Sequence, residues 1–162
     1  MVVSQPGRPT VESKPPPEAV LKVINPLVRA VLQSRLHRAL SRDLMLLHVR
    51  GRKSGRVYVI PVGRHQHKGH LVASAGGNWK RNLAGGADLD VTLDGHRRHA
   101  HAELVADPVE VAQIFSDLLT QLGLKRANRL GLQLNVDRAP TLDELRLALA
   151  DRQIVRLAFL AT

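Results

Sequence analysis

The sequence predicts an α+β domain built on about six mostly antiparallel strands with flanking helices, curled into a small barrel. Short apolar, β-branched runs recur along the chain, as strands of a compact sheet require. Tight glycine turns join neighbouring runs, which makes the pairs antiparallel. Capped segments with helical apolar spacing stand among these runs and supply the helices.

Residues 1 to 18 are rich in Pro, Ser and Gly and predict a flexible N-terminal arm, leaving 19 to 162 as a single domain. Asn25-Pro26 has the form of an N-cap followed by proline at the first helical position, opening a helix to about Leu40. Leu27, Val28, Val31 and Leu32 mark its apolar stripe, and Arg29, Arg35, Arg38 and Arg42 make the opposite side basic.

Asp43 to Val49 and Val57 to Val62 predict two buried strands. Gly51-Arg52-Lys53-Ser54-Gly55-Arg56 joins them. Glycines at 51 and 55 permit a sharp turn and close approach of a ligand. Arg52 and Arg56 can fork onto phosphate oxygens, Lys53 adds a point charge, and Ser54 completes a concave anion site. A solvated basic turn is the competing reading.

His67-Lys68-Gly69 predicts a hairpin turn and Gly69 to Ala75 the third strand. Gly76-Gly77-Asn78 then leads into a short helical turn over Trp79 to Leu83, whose N–H groups offer a second anion site. Asp88 to Leu93 and His96 to Val105 are strands joined through Asp94-Gly95. Asp107, Pro108 and Glu110 read as a capping box opening a helix that ends at Gly123, with a stripe of Val109, Ala112, Phe115, Leu118, Leu119 and Leu122. Thr141 and Glu144 repeat that spacing, and Ile154 to Leu160 is the last strand.

Composition narrows the function. A chain of 162 residues with 44% hydrophobic content supports one core. The absence of cysteine excludes disulfides, thiolate chemistry and cysteine-ligated metals, and suits the cytoplasm. No segment of this sequence has the apolar length of a signal peptide or membrane span. A net charge of +10 and a pI near 11.2 call for an anionic partner. Nucleic acid is disfavoured, because aromatics total 2% (Tyr58, Trp79, Phe115, Phe159) and leave few stacking platforms. Peripheral docking on an anionic membrane through the basic helix is a further expectation. His65 and His67, and His99 and His101, sit two apart and would share strand faces, where solvation is favoured over metal binding.

The series from Leu44 through Gly51–Arg56, then Ile60-Pro61-Val62, Ala73-Ser74 before Gly76-Gly77, and Trp79 with Arg81-Asn82-Leu83 resembles the deazaflavin-dependent nitroreductase family over roughly residues 25 to 106. The resemblance implies a split β-barrel related to flavin-binding, pyridoxamine-phosphate-oxidase-like folds. It also implies coenzyme F420, an 8-hydroxy-5-deazaflavin with a phosphodiester and an oligoglutamate tail; FMN is the alternative.

By the same resemblance, Arg52, Lys53, Ser54, Gly55 and Arg56 hold the phosphate and tail. Pro61, Ala73, Ser74, Gly76 and Gly77 line the ring and its linker, and Trp79 and Asn82 shape the adjoining wall. Ala75 stands where many relatives place a lysine, and the stretch from Gly77 to Trp79 is shorter than in many members. The implied activity is hydride transfer from reduced deazaflavin to a quinone, activated alkene or nitro compound, with Tyr58, Ser74 or solvent as proton source. A noncatalytic carrier of a deazaflavin, flavin, haem or lipid-like ligand is the alternative function. A homodimer is implied only by related barrels.

Overall fold

In a computed structural model, the described residues are 7–14, 26–27, 30–31, 33–34 and 42–160. The long hairpin predicted around the glycine loop is present as β2 (Leu44–Arg50) and β3 (Val57–Gly63), paired from Leu44↔Gly63 to Arg50↔Val57. Short β4 (His65–His67) turns through Lys68 and Gly69, both at positive φ, into β5 (His70–Ala75). After a 3-10 helix over Asn78–Leu83 come β6 (Ala87–Leu93) and β7 (His96–Val105), joined by Asp94 and Gly95 at φ 52° and 78°. Consecutive positive φ values match the twist of antiparallel strands, which is why Lys-Gly and Asp-Gly work in these turns.

Helix α1 (Pro108–Leu122) leads through a 3-10 segment (Leu124–Leu130) to β8 (Leu132–Leu134), helix α2 (Leu142–Ala148) and β9 (Gln153–Phe159). The main sheet has the order β3-β2-β6-β7-β9-β5-β4, with every neighbouring pair antiparallel. It curls until β3 approaches β5, giving the expected α+β half-barrel. Seven strands replace the expected six because His65–His67, too short for an alternating pattern, pairs with β5.

Two apolar cores follow from strand alternation. Met45, Leu47 and Val49 point inside the curl with Val62, Leu89, Val91, Ala73, Ala75, Ala100 and Ala102. The alanines leave room for the tight curvature on β5 and β7. On the outer face, Val72, Val105 and Ile154 receive Ile114, Phe115 and Leu118 of α1, together with Leu145 and Val11. Each large apolar side chain so buried contributes roughly 1.5–3 kcal/mol.

Several local readings change. Val109 is 57% exposed, and Val111 and Ile114 take the buried stripe of α1. Glu110 does not close a capping box; its carboxylate accepts from Arg156 at 2.6 Å while Asp107 alone caps Val109 N–H at 3.1 Å. The second capping box is formed, by Thr141 and Glu144.

Within the stretch expected as an arm, Val11–Ser13 form β1 and pair with β8. Val11 is 2% exposed, and Asn135 holds Pro9 O at 2.8 Å. These contacts offset the ordering cost of about 1–2 kcal/mol per residue. Pro26, Leu27, Ala30, Val31 and Gln33 are helical as expected, with Leu27 68% exposed; Arg29, Arg35 and Arg38 lie outside the described residues. Among the described residues no helix is long and apolar enough to cross a membrane.

His67 is not on a solvated face. It is 6% exposed, and its Nε2 meets Asp117 Oδ2 of α1 at 2.7 Å, with Gln113 holding the other carboxylate oxygen at 2.9 Å. These hydrogen bonds, His67 first, hold the Asp117 carboxyl below its ordinary pKa. Because the folded value is depressed, this contribution is present above the unfolded value of about 3.9 and is lost as pH falls through the lower folded value. Asp117→Asn is therefore expected to cost roughly 1 kcal/mol at neutral pH and to shrink the loss of stability on acidification below about pH 4. Urea unfolding of both proteins across that range checks it, and parallel pH profiles would remove the pair from the account.

Candidate functional site

The hairpin from β2 to β3 closes on itself at both glycines. Gly51 N donates to Arg56 O at 2.8 Å and Gly55 N to Gly51 O at 2.9 Å, with Gly55 at φ 69°. A Cβ on Gly51 would lie 2.8 Å from Ser54 Oγ and 3.1 Å from the Tyr58 ring, so a side chain there would displace one of them. Ser54 Oγ accepts from Arg56 N at 3.2 Å, and Arg50 donates to Gly55 O at 3.1 Å. The loop is thus built from its own polar atoms, and the side chains of Arg52, Lys53 and Arg56 stand outside it, exposed.

The 3-10 helix docks on this loop through Asn82. Its Oδ1 accepts from Arg52 N at 3.0 Å, and its Nδ2 donates to Trp79 O at 3.2 Å. The Arg52 guanidinium donates to Ala84 O from the far side. Asn82, expected as a wall residue, spends both ends of its amide as a clamp between the two predicted anion-binding segments. Trp79 packs partly into the inner core, with its ring against Gly77, where a Cβ would lie 2.9 Å from Cδ1. Lys80 donates to Asp151 O at 3.0 Å.

Charge is distributed unevenly. Arg64 pairs with Asp94, Arg97 with Asp90, Arg138 with Glu144 and Arg156 with Glu103 and Glu110. The second histidine pair is answered as well: His99 meets Asp90, and His101 meets Asp88 at 2.7 Å, carboxylates that come across the sheet from β6. Among the described residues no group of three ligands suits a metal. By contrast, none of Arg50, Arg52, Lys53, Arg56, Lys80 and Arg81 has a described carboxylate within 4.0 Å. An anion approaching this end meets positive charge that no described carboxylate answers, on both the loop and the adjoining helix.

The remaining expected residues occupy other places. Ala73 faces the inner core. Pro61 stands opposite Leu46 at alternate positions to inward-facing Ile60 and Val62, so it lies on the other face of its strand. Ser74, on the outer face, accepts two bonds from Arg152, at 3.1 Å from Nε and 2.5 Å from Nη2. Gly76 borders a cleft of about 760 Å³ with Pro9–Ser13, Glu144, Leu147, Ala148, Asp151 and Arg152. The structure therefore gathers Arg52, Lys53, Ser54, Gly55, Arg56, Trp79 and Asn82 at one place, and sets Ser74 and Gly76 near Arg152, with Gly77 between. Arg152 escaped the sequence reading because a single arginine ahead of an apolar run carries no spacing signal.

Two solved structures are similar to this chain at low identity. One is a protein from Bacteroides thetaiotaomicron assigned to 5-nitroimidazole antibiotic resistance, at 11% identity and a TM-score of 0.41, covering 90% of this chain and 81% of that one. The other is ChuZ of Campylobacter jejuni, at 13% identity and a TM-score of 0.44, covering 91% of this chain and 64% of that one. No curated protein matches the chain. A family model described as F420H(2)-dependent quinone reductase matches residues 27–135, which include β2 to β7, α1 and the whole glycine loop. With more than half of its length matched, the chain belongs to the F420H(2)-dependent quinone reductase family.

Proposed function

We propose that this protein is an F420-dependent oxidoreductase that holds the cofactor's phosphodiester and tail on the Gly51–Arg56 loop. The observation that carries the reading is the set of exposed cations on that loop and on the 3-10 helix without carboxylate partners among the described residues, within a family matched as F420-dependent. A phosphate and a run of carboxylates are the groups such a surface neutralises.

The residues fit the group in kind. Arg52 and Arg56 present forked donors, Lys53 a point charge, and the pinched turn keeps them together. Arg52 is held at its backbone by Asn82, so part of the ordering cost of binding is met before the ligand arrives. The bound deazaflavin would supply hydride chemistry; the chain supplies position and charge. Tyr58, beside Gly51, and Ser74, fixed by Arg152, are the hydroxyls available to deliver a proton.

Purified protein titrated with F420, and separately with FMN, followed by addition of a quinone to the reduced complex, tests the reading. Selective F420 binding with quinone-dependent reoxidation is expected. Binding without turnover would make the protein a carrier, and no F420 binding would remove the proposal.

Replacing Arg52 and Lys53 together with alanine should weaken F420 binding more than tenfold, beyond ~1.4 kcal/mol, with an unchanged circular dichroism spectrum. Wild-type affinity should also fall with added salt, because these charges are exposed. Unchanged affinity in the double variant would return the loop to a solvated turn. Asn82→Ala should expose the Arg52 amide to rapid hydrogen exchange and weaken F420 severalfold while every loop charge is kept. Persistent amide protection would show that Asn82 is no clamp.

A further inference from the structure

The half-barrel has a second end, away from the glycine loop, where β2 begins beside Gly63 and the β6–β7 hairpin turns. There Asp94 of that turn, Gly69 of the β4–β5 turn and Phe159 at the end of β9 border a pocket of about 500 Å³. That volume lies within the range of small-molecule sites. Strand alternation decides what faces it. Leu71, Leu93 and Leu157 line the pocket from the inner core, and Phe159 packs against that core. Gln66, opposite Leu71, shares their side of the sheet.

Arg98 is the odd member of this set. It stands opposite Val91, an inner-core residue, so it takes an inward position on β7 in the row that continues with Ala100 and Ala102. Its guanidinium lies over the Phe159 ring, 4.3 Å from the centroid. No described carboxylate lies within 4.0 Å of it. Asp94, the one acid on the border, is taken by Arg64 at 2.8 Å. Two arginines against one aspartate leave the pocket positive, and His70, the other titratable group on the border, adds to that when protonated.

The ligand class follows from this combination. An inorganic anion would answer Arg98 and leave the leucines wet. An uncharged hydrocarbon would cover the leucines and desolvate a guanidinium without a partner for it. A carboxylate on an aromatic ring meets both, since the carboxylate matches the guanidinium fork and the ring adds apolar area against the leucines and Phe159. Stacking on Phe159 already restrains the arginine, so less freedom is lost when the fork is filled. We propose that this pocket is a second ligand site, separate from the glycine loop, which takes a small aromatic carboxylate with its charged group on Arg98. The site does not depend on the proposed function, because none of its residues belongs to the basic loop or the 3-10 helix.

Amide chemical-shift titration of the full chain with 2-naphthoate, without F420, tests this. Its uncharged counterpart 2-naphthamide, and acetate, which lacks the ring, serve as comparisons. Shifts should centre on Arg64–Leu71, Leu93–Arg98 and Leu157–Phe159, and naphthoate should bind about tenfold more tightly than either comparison. Arg98→Gln should weaken naphthoate about tenfold and bring it level with the amide. Gln66→Trp, at an exposed position, should fill the pocket and weaken both aromatic probes. Arg97→Gln, which removes a neighbouring charge from the opposite face of β7, should leave naphthoate affinity unchanged. Equal affinity for naphthoate and naphthamide, shifts centred on Gly51–Arg56, or naphthoate binding indifferent to both Arg98→Gln and Gln66→Trp overturns the proposal.

Discussion

The insertion of β9 between β7 and β5 is the constraint on which the rest of this structure depends. Without that strand the sheet would separate into β3-β2-β6-β7 and the short β4-β5 hairpin. Its register sets Leu157 opposite both Ala102 and Leu71, and Val155 opposite both Leu104 and Ala73, so one inward row closes the core between two alanine-bearing strands. Pairing residues this distant in sequence carries a loop-closure cost that the local hairpins do not. The same insertion brings Arg152, one residue ahead of β9, onto Ser74 and the β1–β8 ribbon. Sheet closure and the assembly of the cleft are therefore one event.

Part of the excess positive charge gathers around the glycine loop. Across β6 and β7, acids and bases answer one another, and Arg138, ahead of α2, does the same with Glu144 on it. At the glycine loop nothing described does so. Exposed ion pairs of the first kind stabilise little, so the asymmetry matters for what binds rather than for how firmly the domain folds. A hairpin whose backbone is closed by its own bonds and by Asn82, with Arg52 tied to Ala84 O, can hold its cations together without a described acidic partner.

The longer strands, the two-residue turns and the Thr141 cap were legible because each has a period or a spacing that local physics imposes. Three-residue strands have neither, so β1, β4 and β8 exist only through their partners. On α1 a short apolar stripe admits two nearby phases, through Val109 or through Val111, and tertiary packing selects Val111. The loop cations stand out by composition and spacing, and the family resemblance groups Asn82 and Trp79 with them. That Asn82 clamps rather than lines depends on the two-sided geometry of its amide. His67 seemed solvated because Asp117 lies fifty residues away in sequence. Arg152 belongs to the same class: its meaning comes from three distant segments that meet only after β9 is in place.

Amide chemical-shift mapping of the isotopically labelled protein during F420 titration tests the central claim most directly. The account predicts saturable shifts concentrated at Gly51–Arg56 and Trp79–Leu83, diminishing as salt is raised. Shifts centred elsewhere on the sheet, or none at concentrations that saturate binding, would contradict it.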